Sequence, residues 1–464
     1  MAFYGPSSSL VMDSDGIVLS GFDSDGYSTS NSATWQSTMI KVENPYPSVS
    51  QHFGVNLAMG YGKILVQSIF EAGTSASHVY AFDYDGNFID SIPLPSDQGY
   101  NPSLPAFVNS NWGSLIATGN GRIAIATNGY RQDLGGRSFP NNLKQTGNIA
   151  LYDMNLNYIK TLFPSQWNNT QNAAVAAMDT ISTGGESHEL KISNGKVIFL
   201  SKDFKDSQGV PLGDSQDGRV VIFDLFDWDS GEETYIYPRI QKDTSNQGLK
   251  SLAVAHNRIF VGVTEGYDSG SSANMGNIGV YDLHSGGLIR TIQNPLDTGD
   301  LTSGDFFGGN LGAGAGRLCV GEPGDDGIFI FDLNGEVIKE EFNPAEGWSN
   351  NLVLPVGVTS IIENEKIYVP VKNTAGIKDE SRIYVLDLDG NVLGFVHEDD
   401  SDFSRKNDNF GDDMLAADGN MLVVGNYRDS NSTTGESQKG SIYIFTIGDE
   451  TYSNYVDNVM DLKR

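Results

Sequence analysis

Apolar residues along the chain come in short alternating runs, broken every few positions by glycine, asparagine, aspartate or proline. That period of two marks half-buried β-strands and leaves no room for a long amphipathic helix. The stretch FGGNLGAGAGRLCVGEPGDDGIFIFDLNGEVI, Phe307 to Ile338, shows the unit. It predicts a short strand, a tight turn at Gly316, an apolar strand, a third strand IFIFDLNGE from Ile328 and a fourth strand beyond.

The same grammar recurs. FGVNLAMGYGKILVQ from Phe53, WGSLIATGNGRIAIA from Trp112 and FGDDMLAADGNMLVVG from Phe410 are strong copies; segments opening at Ser187, Ser251 and Gly357 are weaker ones, giving seven. The turn falls at Gly62, Gly121, Gly195, Asn257, Gly316, Glu365 or Gly419, and in six of the seven the next residue is Lys or Arg. The turn residues stand 49 (Gly316 to Glu365) to 74 (Gly121 to Gly195) residues apart. Four strands per unit at such spacing predict an all-β, seven-bladed β-propeller of four-stranded antiparallel blades.

Ring closure follows from the ends. The copy at Phe410 has a weak fourth strand, while MIKVENP, Met39 to Pro45, matches the fourth strands LIRTIQNP at Leu288 and VIKEEFNP at Val337. Pairing this N-terminal segment with the last blade removes two open sheet edges. The expected organisation is therefore an arm or partial blade over 1–36, a propeller over 37–450 whose ring is closed by a strand in 37–45, and a tail over 451–464. LVMDSDGIVLSG, Leu10 to Gly21, resembles an inner hairpin and supplies the rival of eight blades.

The glycine run Gly312, Gly314, Gly316 is not a phosphate cradle. A dinucleotide fingerprint needs glycine at 317, where Arg317 stands, and a helix after it. Gly62-Lys63 and Gly195-Lys196 are followed by Ile64 and Val197, which rules out a Walker A loop. Small residues at Gly312, Ala313, Gly314 and Ala315 are expected to let inner strands crowd around the axis.

The pattern FG-x-x-L-x-x-G-x-G-R-L-x-V-G-x-P at Phe307 to Pro323 resembles the FG-GAP repeat of the integrin-α-type β-propeller, and the copies at Phe53 and Phe410 are similar. The resemblance implies a propeller used for adhesion or protein contact, with calcium in an acidic loop of some blades. Here Gly62-Lys63 and Gly316-Arg317 place cations where those loops would lie. The acidic turns at Asp83 to Asn87 and Asp387 to Asn391 carry glycine at the fourth position, and Asp-Gly there reads as a hairpin with positive φ at both turn residues. Calcium is left with Asp13, Asp15, Asp23 and Asp25 as its best candidates.

Composition narrows the partners. Of 464 residues, 59 are acidic and 29 basic, a formal charge of -30. That field opposes nucleic-acid phosphate and anionic lipid, and it suits a saline habitat or simple solubility. A single cysteine, Cys319, precludes an intramolecular disulfide and is expected to be a buried strand residue. The start has neither a basic n-region nor an apolar h-region, and no apolar run reaches membrane length. No secretory signal and no membrane insertion are expected, with a cytoplasmic location as one reading.

No H-E-x-x-H, G-x-S-x-G or C-x-x-C occurs. Polar groups expected at the channel mouth are His52, Glu186, His188, Glu189 and His256; His188 also fits as a substitute for the blade-opening aromatic. No catalytic, cofactor-binding or metal residue is assigned from these. Phe53, Trp112, Phe307 and Phe410 are expected to pack between blades. The longest inserts, Asn128 to Gly147, Ser201 to Gly218, Tyr267 to Gly276 and Asn426 to Gly440, join second to third strands and should share one face, with Tyr130, Tyr267, Tyr427 and Trp228 in or beside them.

The expected function is a non-enzymatic propeller that contacts other proteins of an assembly or a glycan, as a monomer or oligomer. In composition it resembles virion proteins of tailed phages, marine ones among them, which implies a virion or extracellular place after assembly. The alternative is a propeller hydrolase or lyase of glycans or lactones, motivated by Glu186 and His188.

Overall fold

The computed structural model describes residues 9–12, 18–22, 39–46, 51–70, 77–93, 95, 111–130, 146–162, 189–201, 219–226, 233–236, 249–263, 276–296, 307–322, 327–344, 352–353, 360–373, 380–398, 410–411, 415–427 and 440–448. Among them there is no helix; the strands form seven antiparallel blades and one separate two-stranded sheet, Ser9–Met12 with Val18–Phe22. That hairpin, which the sequence offered as an eighth blade, pairs with no blade among the described residues.

Each blade runs from inner to outer strand in chain order. Blade 1 is Gln51–Gly60, Lys63–Phe70, His78–Phe82 and Phe88–Ile92; blade 2 is Asn111–Gly119, Arg122–Tyr130, Thr146–Asp153 and Tyr158–Leu162. Blade 3 is Leu190–Ser193, Lys196–Ser201, Arg219–Asp224 and Glu233–Ile236; blade 4 is Leu249–Ala255, Arg258–Val263, Asn277–Asp282 and Leu288–Gln293. Blade 5 is Asn310–Gly314, Arg317–Glu322, Gly327–Asp332 and Val337–Phe342; blade 6 is Ile361–Glu363, Lys366–Asn373, Glu380–Leu386 and Val392–Val396, with Leu352–Val353 added beside its second strand. Blade 7 is Leu415–Asp418, Met421–Asn426 and Ser441–Thr446, and Met39–Glu43 completes it, pairing Met39 with Phe445 through Glu43 with Ser441. The ring closes as the proline-terminated pattern implied.

Two-residue turns link first and second strands. In six blades both turn residues have positive φ, for example Asn120 at 49° with Gly121 at 69° and Ala315 at 46° with Gly316 at 79°. This is the type I′ geometry whose twist matches the strands it joins, and it explains the abundance of Asn-Gly there. Ala315 thus belongs to the turn and not to the crowded strand. Gly314 does crowd: a Cβ on it would stand 2.6 Å from the Ile362 carbonyl oxygen of blade 6.

The core is a ring of seven wedges, one in every seam. Phe307 (0% exposed) is packed with Phe260 and Val280 of blade 4 and with Leu318 and Phe329 of blade 5; Phe53, also 0% exposed, lies between Ile442 and Ile444 of blade 7 and Leu57 and Tyr80 of blade 1. Phe410 and Trp112 fill the seams between blades 6 and 7 and blades 1 and 2. Each such ring removes apolar surface worth about 1.5–3 kcal/mol from water. Trp112 replaces phenylalanine with a polar edge, and its Nε1–H donates to the Ile92 carbonyl at 3.0 Å, so the extra donor is satisfied.

The glycine that follows these aromatics meets the neighbouring blade. Gly54 has φ +94°, and a Cβ on it would lie 2.8 Å from the Ser441 carbonyl oxygen of blade 7. Phe-Gly therefore encodes a wedge and the close approach beside it.

Candidate functional site

Every blade presents two ends. At one lie the turns between first and second strands and the hairpins between third and fourth. At the other, the strand pairs leading into the four long inserts end at Tyr130 with Thr146, Ser201 with Arg219, Val263 with Asn277 and Asn426 with Ser441. The inserts thus leave a common end, as expected. Tyr267, Trp228, Glu186, His188, Asp13, Asp15, Asp23 and Asp25 lie outside the described residues, as do most of the inserts.

The hairpin end is built by aspartate. Asp83 accepts N–H groups from Asp85 at 3.0 Å and Asn87 at 2.7 Å, plus the Asn87 side-chain amide at 2.9 Å; Asp153 and Asp387 repeat the arrangement with Asn157 and Asn391. Hydrogen bonds from the Asn side chains, and then from backbone N–H groups, hold Asp83 and Asp153 below the usual carboxylate range. One residue of each loop takes positive φ, 81° at Gly86, 68° at Leu156 and 80° at Gly390, so these are three-residue loops with a single left-handed residue, and the turns at Asp83 and Asp387 are not the expected two-residue turns with both residues at positive φ. Both Asp83 oxygens accept from the turn itself, and the described residues contain no group of three His, Cys, Asp or Glu placed to hold a metal.

Two of the cations after the first turn reach across seams, whereas Lys196 pairs with Asp224 of its own blade at 2.8 Å. Arg317 of blade 5 donates through Nε to the Leu388 carbonyl at 2.9 Å and through Nη2 to Asp389 at 3.2 Å in blade 6; Arg258 of blade 4 donates to the Leu333 carbonyl and to Asn334 of blade 5. At the opposite end the asparagines of two Asn-Pro exits do similar work. Asn44 donates to Ser68 of blade 1 at 3.1 Å while its Oδ1 accepts Tyr46 N–H, and Asn294 donates to the buried Glu322 of blade 5 while accepting Leu296 N–H.

Of the expected channel groups, Glu189 and His52 make contacts across seams. Glu189 is buried, accepts Leu252 N–H of blade 4 at 3.1 Å and is paired with Lys191 at 3.1 Å. The His52 ring meets Tyr427 of blade 7 edge-on at 5.2 Å, and His256 is exposed in a first turn at φ +47°. The structure brings none of these three to another. Cys319 is fully buried, which pushes its thiol up to about 12.

A different set of titratable groups does meet, at the first turn of blade 7. The Tyr84 hydroxyl of blade 1 donates to Asp418 Oδ2, and Glu363 of blade 6 accepts Gly419 N–H at 3.3 Å. Asn364 donates to Asn420 beside them. Burial raises the Glu363 carboxyl, the hydrogen bond from Gly419 N–H offsets part of that rise and the charge of Asp418 adds to it; burial and the hydrogen bond to Asp418 raise the Tyr84 phenol. No local pattern announces this group, because its members come from residues 84, 363 and 418.

No helix among the described residues is long and apolar enough to cross a membrane. No curated protein sequence matches the chain. The FG-GAP repeat family model matches residues 401–445. Among solved structures, virginiamycin B lyase from Staphylococcus aureus, in a catalytically inactive form with quinupristin, is similar over 89% of this chain and 99% of its own, at 11% identity and a TM-score of 0.46. A europium-containing methanol dehydrogenase is similar over 88% of this chain and 82% of its own, at 12% identity and a TM-score of 0.43. Likeness at that level transfers neither activity nor substrate. The chain is a seven-bladed β-propeller whose closing blade carries a match to the FG-GAP repeat.

Proposed function

We propose that the chain is a non-enzymatic propeller scaffold whose insert-bearing end binds a protein of a larger assembly. One observation carries the reading: the four longest inserts leave one end of their blades, while the other end is made of tight two- and three-residue turns. A rigid ring with variable segments on one end is the usual division between scaffold and recognition surface. The FG-GAP match supports the same reading, since the resemblance implies adhesion or protein contact. A virion or extracellular setting extends it and rests on composition alone.

The test replaces the four inserts, singly and together, with Asn-Gly turns and checks folding by far-ultraviolet circular dichroism. Intact and trimmed chains are then compared for self-association by light scattering, for binding to a glycan array, and for turnover of polysaccharide and lactone panels. Light-scattering assembly that vanishes on trimming supports the proposal. Glycan binding lost on trimming replaces the protein partner with a glycan, and turnover abolished by His188→Ala replaces the scaffold with a hydrolase or lyase.

A further inference from the structure

We propose that the first turn of blade 7 is a proton-sensitive latch on ring closure, in which the Glu363 and Asp418 carboxylates tie the closing blade to both of its neighbours. Blade 7 is the one blade made from both halves of the chain, since Met39–Glu43 supplies its outer strand. At its inner edge, Glu363 holds the Gly419 N–H from blade 6 and Tyr84 holds Asp418 from blade 1. The two hydrogen bonds flank a single peptide, Asp418-Gly419, so both seams of the closing blade are pinned at one turn.

The charges around Glu363 come from each element packed on it. Within blade 6 it stands opposite Lys366, with Glu365 in the intervening turn. Blade 7 presents Asp418, and blade 1 presents Tyr84, which feels the charges of both carboxylates. Blade 5 backs onto Ile362 through Gly314, and its Arg317 is turned away to Leu388 and Asp389. Two carboxylates share the turn, and the nearest opposite charge on the same hairpin is Lys366.

The sign follows. Closed, the seam holds the Glu363 carboxyl above its ordinary 4.5; opened to water, the group returns to that value. The closed ring therefore binds the proton more tightly, and seam opening grows as pH rises from 4.5 through the raised value. The opening constant changes about tenfold for each pKa unit between the two states.

Hydrogen exchange of the full chain between pH 4 and 8, corrected for intrinsic rates, reads the latch directly. Amides of Met39–Glu43 and Ser441–Thr446 are expected to lose protection as pH rises, while Asn277–Asp282 in blade 4 keeps its own. In Glu363→Gln the closing-blade protection should become independent of pH. In Asp418→Asn the profile should move to lower pH, because the charge that raises Glu363 is gone; this variant decides the matter if the first does not fold. A profile unchanged by either substitution, a flat wild-type profile, or a pH effect shared equally by all blades overturns the proposal.

Discussion

Gly54→Ala should cost the ring more than its backbone angle alone explains. Gly54 and Gly62 both lie at left-handed φ, +94° and +77°, but a Cβ on Gly62 meets nothing within 4 Å, as is also true at Gly121. Gly62→Ala and Gly121→Ala therefore report the conformational term, about 1–2 kcal/mol, reduced by about 0.4–1 kcal/mol because alanine also restricts the unfolded chain. In Gly54→Ala the new methyl would stand 2.8 Å from the Ser441 carbonyl oxygen, against an ordinary C···O contact of about 3.3 Å. That oxygen belongs to the strand paired with Met39–Glu43, so blade 1 has to back away from blade 7 and loosen the seam around Phe53 and Ile442. Overpacking of this kind adds about 1–3 kcal/mol. Urea unfolding followed by tryptophan fluorescence should show small midpoint shifts for the two turn variants and a shift two to three times larger, by about that ratio of energies, for Gly54→Ala. Equal shifts in all three would refute the claim that the neighbouring blade is what demands glycine after the aromatic.

Other seams offer further tests. Asn294→Ala should destabilise by about 2 kcal/mol and Asn44→Ala by about 1 kcal/mol, since the first removes a hydrogen bond to a buried carboxylate and the second one to a hydroxyl; chemical denaturation distinguishes them. Phe307→Ala should cost about 3–5 kcal/mol through the cavity left between blades 4 and 5. Because the Asp83 and Asp153 carboxyls are held low, their contribution is present above the ordinary 3.8 and lost as pH falls through the depressed values; thermal scans of Asp83→Ala and the parent should converge in that acid range. Cys319 should resist thiol reagents at pH 8 in the folded ring and react fully in denaturant.

Blade boundaries were legible because each hairpin carries its own signal. Asn120-Gly121 and Ala315-Gly316 write a type I′ turn into adjacent residues, and Phe-Gly writes a wedge with its close approach. Even ring closure could be read, since Met39 to Pro45 repeats Leu288 to Pro295 in residue order. Contacts between blades were not legible, because their partners are remote: Asn44 meets Ser68, Arg317 meets Asp389, and Tyr84 meets Asp418 across 334 positions. For the same reason the seam contacts of Glu189 and His52 and the cluster at Glu363 carry no local signal. The hairpin at Asp83 misled on a finer point, since Asp-Gly marks a left-handed glycine without saying whether its neighbour shares that conformation.

Pairing Met39 with Phe445 also sets an order in time. The strand that closes the ring is synthesised ahead of all seven blades and its partner after most of them, so closure is the contact of longest sequence range in the fold. At about 5–20 residues per second, a ribosome leaves Met39–Glu43 waiting for roughly 20–80 s. Through that interval Phe53 has only the blade 1 side of its pocket, because Ile442 and Ile444 do not yet exist. A chain released before residue 441 lacks Ile442 and Ile444, so the full burial of Phe53 registers that translation has passed the third strand of blade 7.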